Sequence, residues 1–277
     1  MSQSGYGCCH LSGGVCCPVS PTTQACCPSG TTCVLTGAYS ATCVPSAGGG
    51  ANQSALQVCT PGARYPPSAT QPSVIVIGDS VSEGYQPPLT SALANISFIQ
   101  HSPWSTGGGA DDVGNGVNCE EEFLRTAMYE PAQWDLITFN FGLHNVDNRS
   151  SAEATYEALL TNFTLRLKQT GSKLLYVSTT PFMPARWFGD NAVEDMNAIA
   201  QRIMAAQGIP YADTYSQIMN YCAPDGSGRY THCDLCDNET ALWPNGPPGS
   251  FCGYHYVPKG YDLIVGYLAP IITALLG

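Results

Sequence analysis

The stretch Ser73-Val74-Ile75-Val76-Ile77-Gly78-Asp79-Ser80 constrains the fold more than any other part of this chain. Val74 to Ile77 is a short, β-branched, uncharged run, which reads as a buried strand of a parallel sheet. The run stops at Gly78, and Ser80 stands just past its end. In open α/β sheets the working residues lie beyond the carboxyl ends of strands. A serine there becomes a nucleophile when a base reaches it. The remaining residues must then supply that base, a site for an oxyanion, and the elements that hold both.

From residue 74 onward the pattern alternates between strand and helix. Further strands are expected at 97–100, 136–141, 173–178 and 211–213. A helix is expected over 118–129, with Glu120, Glu121 and Glu122 in its first turn, where the helix dipole favours them. Another spans 151–169, N-capped by Ser151, with Tyr156, Leu159, Leu160, Phe163 and Leu167 at helical spacing. A third covers 191–207 and ends at Gly208-Ile209-Pro210, and a last one covers 260–276. Such alternation implies a parallel sheet flanked by helices. The apolar stretch 263–276 falls short of the roughly 18 residues of a membrane span and contains Pro270, so a core-packed final helix is expected.

The front of the chain follows other rules. Of 14 cysteines, Cys8, Cys9, Cys16, Cys17, Cys26, Cys27, Cys33 and Cys43 fall before residue 44. Large apolar residues are almost absent there, so disulfides must replace a core. Cys59, Cys119, Cys222, Cys233, Cys236 and Cys252 are spread through the remainder, and both counts are even. We expect a cysteine-rich module over 1–43, a flexible Gly/Ser-rich linker over 44–58 and an α/β domain over 59–277. The module reads equally as a polysaccharide-binding unit, with Tyr6 and Tyr39 as its stacking surfaces, and as an inert appendage. Its paired cysteines and the stretch from Cys26 to Cys33 resemble a granulin-type module.

The formal net charge of −11 makes nucleic acid and anionic membranes poor partners. Charged residues are only 11%, so solubility rests on Ser, Thr, Asn and Gln. Asn-x-Ser/Thr sequons at Asn52, Asn95, Asn148, Asn162 and Asn238 join the cysteines in pointing to a secreted glycoprotein. Met1 to Tyr6 holds no apolar signal region, as in a mature form with an added Met or a truncated sequence.

His255, in a loop before the final helix, is the candidate base; a Ser–His pair gives general-base activation. His101, His144 and His232 compete with it. The stretch Thr138 to Asn145 leaves a strand into a Gly turn followed by polar side chains, which suits donors to an oxyanion. The Gly107-Gly108-Gly109 run is placed to bring a backbone N–H to the same point.

Together these residues resemble the SGNH, or GDSL-type, hydrolase family over residues 74–276. Gly78-Asp79-Ser80 matches its first block, with the nucleophilic serine. Gly109 fits its second, Gly142-Leu143-His144-Asn145 its third, and His255 followed by Gly260-Tyr261 its last. The resemblance implies a three-layer α/β/α, flavodoxin-like sheet with the small disulfide-rich module in front. It implies a cofactor-free serine esterase acting on acetyl esters of carbohydrates, on lipids or on aryl esters. In this scheme Ser80 attacks and His255 moves the proton. The N–H groups of Ser80 and Gly109, with the side chain of His144 or Asn145, hold the oxyanion.

Two positions depart from the family pattern. His144 stands where the oxyanion asparagine is usual, with Asn145 next to it. Cys252 stands where an aspartate usually orients the histidine, leaving Asp234 and Asp237 as candidate acids. That loss motivates an alternative, a non-catalytic extracellular binding or wall protein on the same fold. A further alternative uses Cys233-x2-Cys236 and Cys252-x2-His255, 15 residues apart, as a zinc site; the eight upstream cysteines favour disulfides instead.

Overall fold

A computed structural model describes residues 15–18, 24–27, 31–37, 40–45, 59–104, 109–126, 132–146, 149–181, 192–222, 233–236 and 253–277. The chain forms two compact units, Met1–Val58 and Cys59–Gly277.

In the first unit, β1 (Val15–Pro18) pairs antiparallel with β2 (Gln24–Cys27), and β3 (Thr31–Gly37) with β4 (Ser40–Pro45). The register sets Cys16 opposite Cys26 and Cys33 opposite Cys43. Strand β4 runs two residues into the stretch expected as linker, the rest of which lies outside the described residues.

The second unit is a five-stranded parallel sheet. Its strands are β5 (Ser73–Ile77), β6 (Phe98–Ser102), β7 (Leu136–Phe139), β8 (Lys173–Val177) and β9 (Tyr211–Ala212), in the spatial order β6-β5-β7-β8-β9. The chain steps from β5 outward to β6, then returns past β5 to β7. The strand order thus reverses between β5 and β7, and in such sheets ligands bind outside the carboxyl ends at that reversal. Every side chain of β5 is buried, as a strand covered on both faces requires.

Helices cover both faces. Helix α1 (Ser80–Ala92) packs against the last helix, and α2 (Val113–Leu124), α3 (Arg149–Gln169) and α4 (Ala192–Gln207) pack in succession. Helix α5 (Thr214–Cys222) lies beside the last helix, α6 (Pro258–Leu276). With 19 residues and a mean hydropathy of 1.3, α6 is long and apolar enough to cross a membrane. Its Gly260, Ile264, Val265, Leu268 and Ile272 are buried in this unit.

Several elements differ from expectation. Helix α2 begins at Val113, because Asp112 caps it by accepting the Asn115 N–H at 2.9 Å. Gly114 and Gly116 mask this start in the sequence; a Cβ on Gly116 would come within 2.5 Å of the Phe141 ring. The three glutamates therefore fall late in the helix, and buried Glu120 pairs with Arg166 at 2.6 Å. Helix α3 starts at Arg149, so Ser151 lies inside its first turn. Helix α6 starts at Pro258 and runs through Pro270 without ending. Helices α1 and α5 have no counterpart in the sequence reading; Pro87-Pro88 inside α1 hides it.

Candidate active site

The turn after β5 places the serine. Asp79 takes extended backbone and caps α1, its Oδ1 accepting the Val81 N–H at 3.0 Å. Ser80 is thereby the first residue of α1 and only part-buried, at the positive end of the helix dipole. Asp79 is 3% exposed. Burial pushes its carboxyl above the usual range, opposed by the charges of His144 and His255 and by two backbone N–H groups.

Gly109 closes on this turn. It bridges Asp79 in antiparallel fashion, and the Ala110 N–H donates to the Gly78 carbonyl at 2.8 Å. Its φ of +66° suits glycine, and a Cβ would lie 2.3 Å from the Gly78 oxygen. Gly107 and Gly108 lie outside the described residues.

The turn after β7 is held by hydroxyls. Tyr156, Tyr176 and Thr179 donate to the Phe141 carbonyl at 2.7, 2.6 and 3.3 Å. This fixes the start of the Gly142–Asn145 stretch, whose residues Leu143–Asn145 form a short 3₁₀ turn. A Cβ on Gly142, with φ +155°, would lie 2.3 Å from Thr179 Oγ1. His144 is exposed on this turn. Asn145 is half-buried, and its Oδ1 accepts the Val113 N–H at 3.3 Å, which couples it to the start of α2. Asn140, within the stretch Thr138 to Asn145, donates to the Val177 carbonyl at 2.8 Å and to Thr179 Oγ1 at 3.2 Å, tying β7 to β8.

His255 comes from the strip before α6. Its Nε2 lies 2.8 Å from Ser80 Oγ, across 175 positions of sequence. A second strip holds it in place: the Val257 N–H donates to the Leu235 carbonyl at 2.9 Å, and Cys236 bridges Tyr256. That strip is stapled to the end of α5 by the Cys222–Cys233 disulfide. Tyr256 is anchored separately, its hydroxyl donating to the Pro181 carbonyl at 2.7 Å.

The other candidates fall elsewhere. Asp234 Oδ2 takes Lys259 Nζ at 2.6 Å on the surface, an ion pair that lowers the aspartate's pKa. Asp237, Cys252 and His232 lie outside the described residues. The sulfurs of Cys222, Cys233 and Cys236 lie within 4.8 Å of one another. Cys222 and Cys233 are joined, however, and Cys236 is also disulfide-bonded. None of the three is then a thiolate, the form that binds zinc. His101 forms a pair with a different serine: its Nε2 lies 2.6 Å from Ser82 Oγ.

Solved structures share this fold. A lipase/acylhydrolase from Enterococcus faecalis superposes with a TM-score of 0.54 at 16% identity, covering 74% of this chain and 96% of its own. A GDSL-like lipase from Bacteroides thetaiotaomicron gives 0.50 at 14%, covering 76% and 92%. The acetyl xylan esterase AlAXEase gives 0.53 at 12%, covering 72% and 99%. The fold is that of the GDSL-type hydrolases.

In this GDSL-type sheet the Ser80 turn follows β5 and the Gly142 turn follows β7, the two strands between which the order reverses. Residues 1–44 match the granulin family. No curated protein matches the chain by sequence.

Proposed function

We propose that this protein is a secreted serine esterase that cleaves short-acyl carboxylic esters, acetylated polysaccharide among them. The observation that carries this reading is the 2.8 Å contact between Ser80 Oγ and His255 Nε2 at the strand-order reversal. His255 takes the Ser80 proton as Oγ attacks the ester carbonyl, then returns it to the departing alcohol. The tetrahedral oxyanion lies at the start of α1, within reach of the Ser80 and Gly109 N–H groups, with His144 as the side-chain donor and Asn145 as second choice. Water, deprotonated by His255, releases the acid from the acyl-enzyme. The residues on this path form and break the ester without a cofactor.

The disulfides Cys59–Cys119 and Cys222–Cys233, the granulin match and the exposed sequon residues Asn95 and Asn162 support secretion. The acetyl xylan esterase among the structures of like fold supports a carbohydrate ester as substrate. The test is turnover of a small acetyl ester such as 4-nitrophenyl acetate. Ser80→Ala should abolish it, a loss of roughly 10⁴-fold or more. Undiminished turnover would remove Ser80 from the mechanism.

A further inference from the structure

A second surface stands apart from the Ser80–His255 pair. The segment from Pro61 to Tyr65 runs along the outer edge of β6. The Trp104 N–H donates to the Pro61 carbonyl at 2.9 Å, and Ala63 bridges Thr126. Gly62 lets this segment lie against the end of α2, since a Cβ there would fall 1.8 Å from the Arg125 carbonyl oxygen. Buried Gln100 of β6 grips the backbone of Tyr65 from both sides. Its Oε1 accepts the Tyr65 N–H at 2.7 Å, and its Nε2 donates to the Tyr65 carbonyl at 2.5 Å.

These anchors present three exposed side chains together. The Arg64 guanidinium lies 5.2 Å from the Tyr65 ring centre and 5.1 Å from that of Trp104. Tyr65 is 53% and Trp104 38% exposed, two of the few large hydrophobic side chains so open among the described residues. No carboxylate of a described residue pairs with Arg64, although the chain carries 21 acidic residues against 10 basic ones. A folded acidic protein has many anions available to its arginines, so a guanidinium that meets two rings and no carboxylate among the described residues is poised for an anion from outside.

The chemistry narrows the ligand. Flat aromatic faces pack on the C–H faces of a ring while their polar edges stay wet. A guanidinium grips a carboxylate with two parallel hydrogen bonds and can stack on an aromatic ring at the same time. A pyranose bearing a carboxylate satisfies both at once. The surface is also on the side of the sheet where ester cleavage is proposed. Strand β6 pairs with β5, Ser102 lies opposite Ile77, and Trp104 leaves the sheet two residues on, as Asp79 does.

We propose that Arg64, Tyr65 and Trp104 form a subsite for a uronic-acid residue of an acidic polysaccharide, holding the chain whose ester Ser80 cleaves. Its role in turnover rests on the esterase reading above; the binding itself does not. The test uses the full chain carrying Ser80→Ala, so that ligand survives, with binding of an oligogalacturonide and of a neutral xylo-oligosaccharide of equal length measured by calorimetry. The parent should bind the oligogalacturonide more tightly, and added salt should weaken that binding. Arg64→Gln should lower this affinity by about tenfold or more, and Arg64→Lys should restore part of it. Trp104→Ala should weaken it too, with Trp104→Phe recovering part. Unchanged unfolding temperatures check that the variants are folded. Equal affinity of the parent for both sugars, or of Arg64→Gln and parent for the oligogalacturonide, would overturn the proposal. Failure of the unmutated chain to turn over 4-nitrophenyl acetate would instead count against the esterase reading and leave this binding result standing.

Discussion

Two Ser–His pairs share the first turn of α1, and they differ in everything except their bond. Ser80 meets His255 at 2.8 Å, and Ser82, two residues on, meets His101 at 2.6 Å. By distance the second pair is the closer. Yet Ser82 is 1% exposed, and its oxygen also lies 2.6 Å from the Asp79 carbonyl. His101 donates through Nδ1 to the Pro103 carbonyl at 3.1 Å, and burial lowers its pKa to about 4. Ser82 is thus closed off from solvent. Gly78 exists partly for this inner pair, since a Cβ there would fall 2.6 Å from Ser82 Oγ. A hydrogen-bonded serine and histidine are therefore not enough. The outer pair adds access, a helix start behind Ser80 and a neighbouring glycine turn; the inner pair ties the end of β6 to the Ser80 turn.

The sharpest way to break this contrast is turnover. His255→Ala should lower kcat for a small acetyl ester by roughly 10⁴-fold or more, as loss of a general base does. His101→Ala, acting only through the placement of the Ser80 turn, should cost less than about 10²-fold. Comparable losses would mean that the inner pair takes part in the chemistry.

A smaller effect should separate the supports of the two histidines. His255 hangs on a strip held by Cys222–Cys233, whereas His101 belongs to a strand of the sheet. Replacing both cysteines by serine should lower kcat by about 10- to 100-fold through displacement of His255. It should cost about 3 kcal/mol of stability for a loop of this length. Kinetics together with urea unfolding read both. Unchanged kcat would show that the staple does not set the height of His255.

Stability against pH also bears on the inner pair, once the buried carboxyls of Asp79 and Glu120, whose pKa values burial raises, are held constant by comparison with a His101 variant. The folded pKa of His101 is depressed from 6.5 to about 4. Its contribution is complete above pH 6.5 and is lost as pH falls from 6.5 towards 4, because the unfolded chain then binds the proton more readily. The loss is about 3 kcal/mol. His101→Phe should flatten that part of the urea-unfolding profile. The smallest effect is expected from Ser82→Ala, which removes one buried hydroxyl and should cost about 1–2 kcal/mol.

How much of this was readable from sequence follows from where the information is local. The run Val74–Ile77 announces a buried strand because β-branched residues without charge have little else to do. The positions of Ser80 and His255 followed from strand-end and loop placement. The inner pair was not legible, because nothing in the sequence near His101 points to Ser82. Helix α1 was hidden by Pro87-Pro88, and the start of α2 by two glycines whose merit is close packing, visible only when Phe141 is in place. Asp234 was a reasonable acid by proximity in sequence, but Lys259, the second residue of α6, holds it at the surface. The subsite at Arg64 could not be seen at all, since Tyr65 and Trp104 are brought together by Gln100 and the edge of β6.

The most direct measurement is covalent. A fluorophosphonate reacts quickly only with a serine whose proton is taken by a base. Treated with such a probe and mapped by peptide mass spectrometry, the protein should carry one adduct, on Ser80, and none on Ser82. No adduct, or an adduct on Ser82, would contradict the assignment of Ser80 and His255 as the reactive pair.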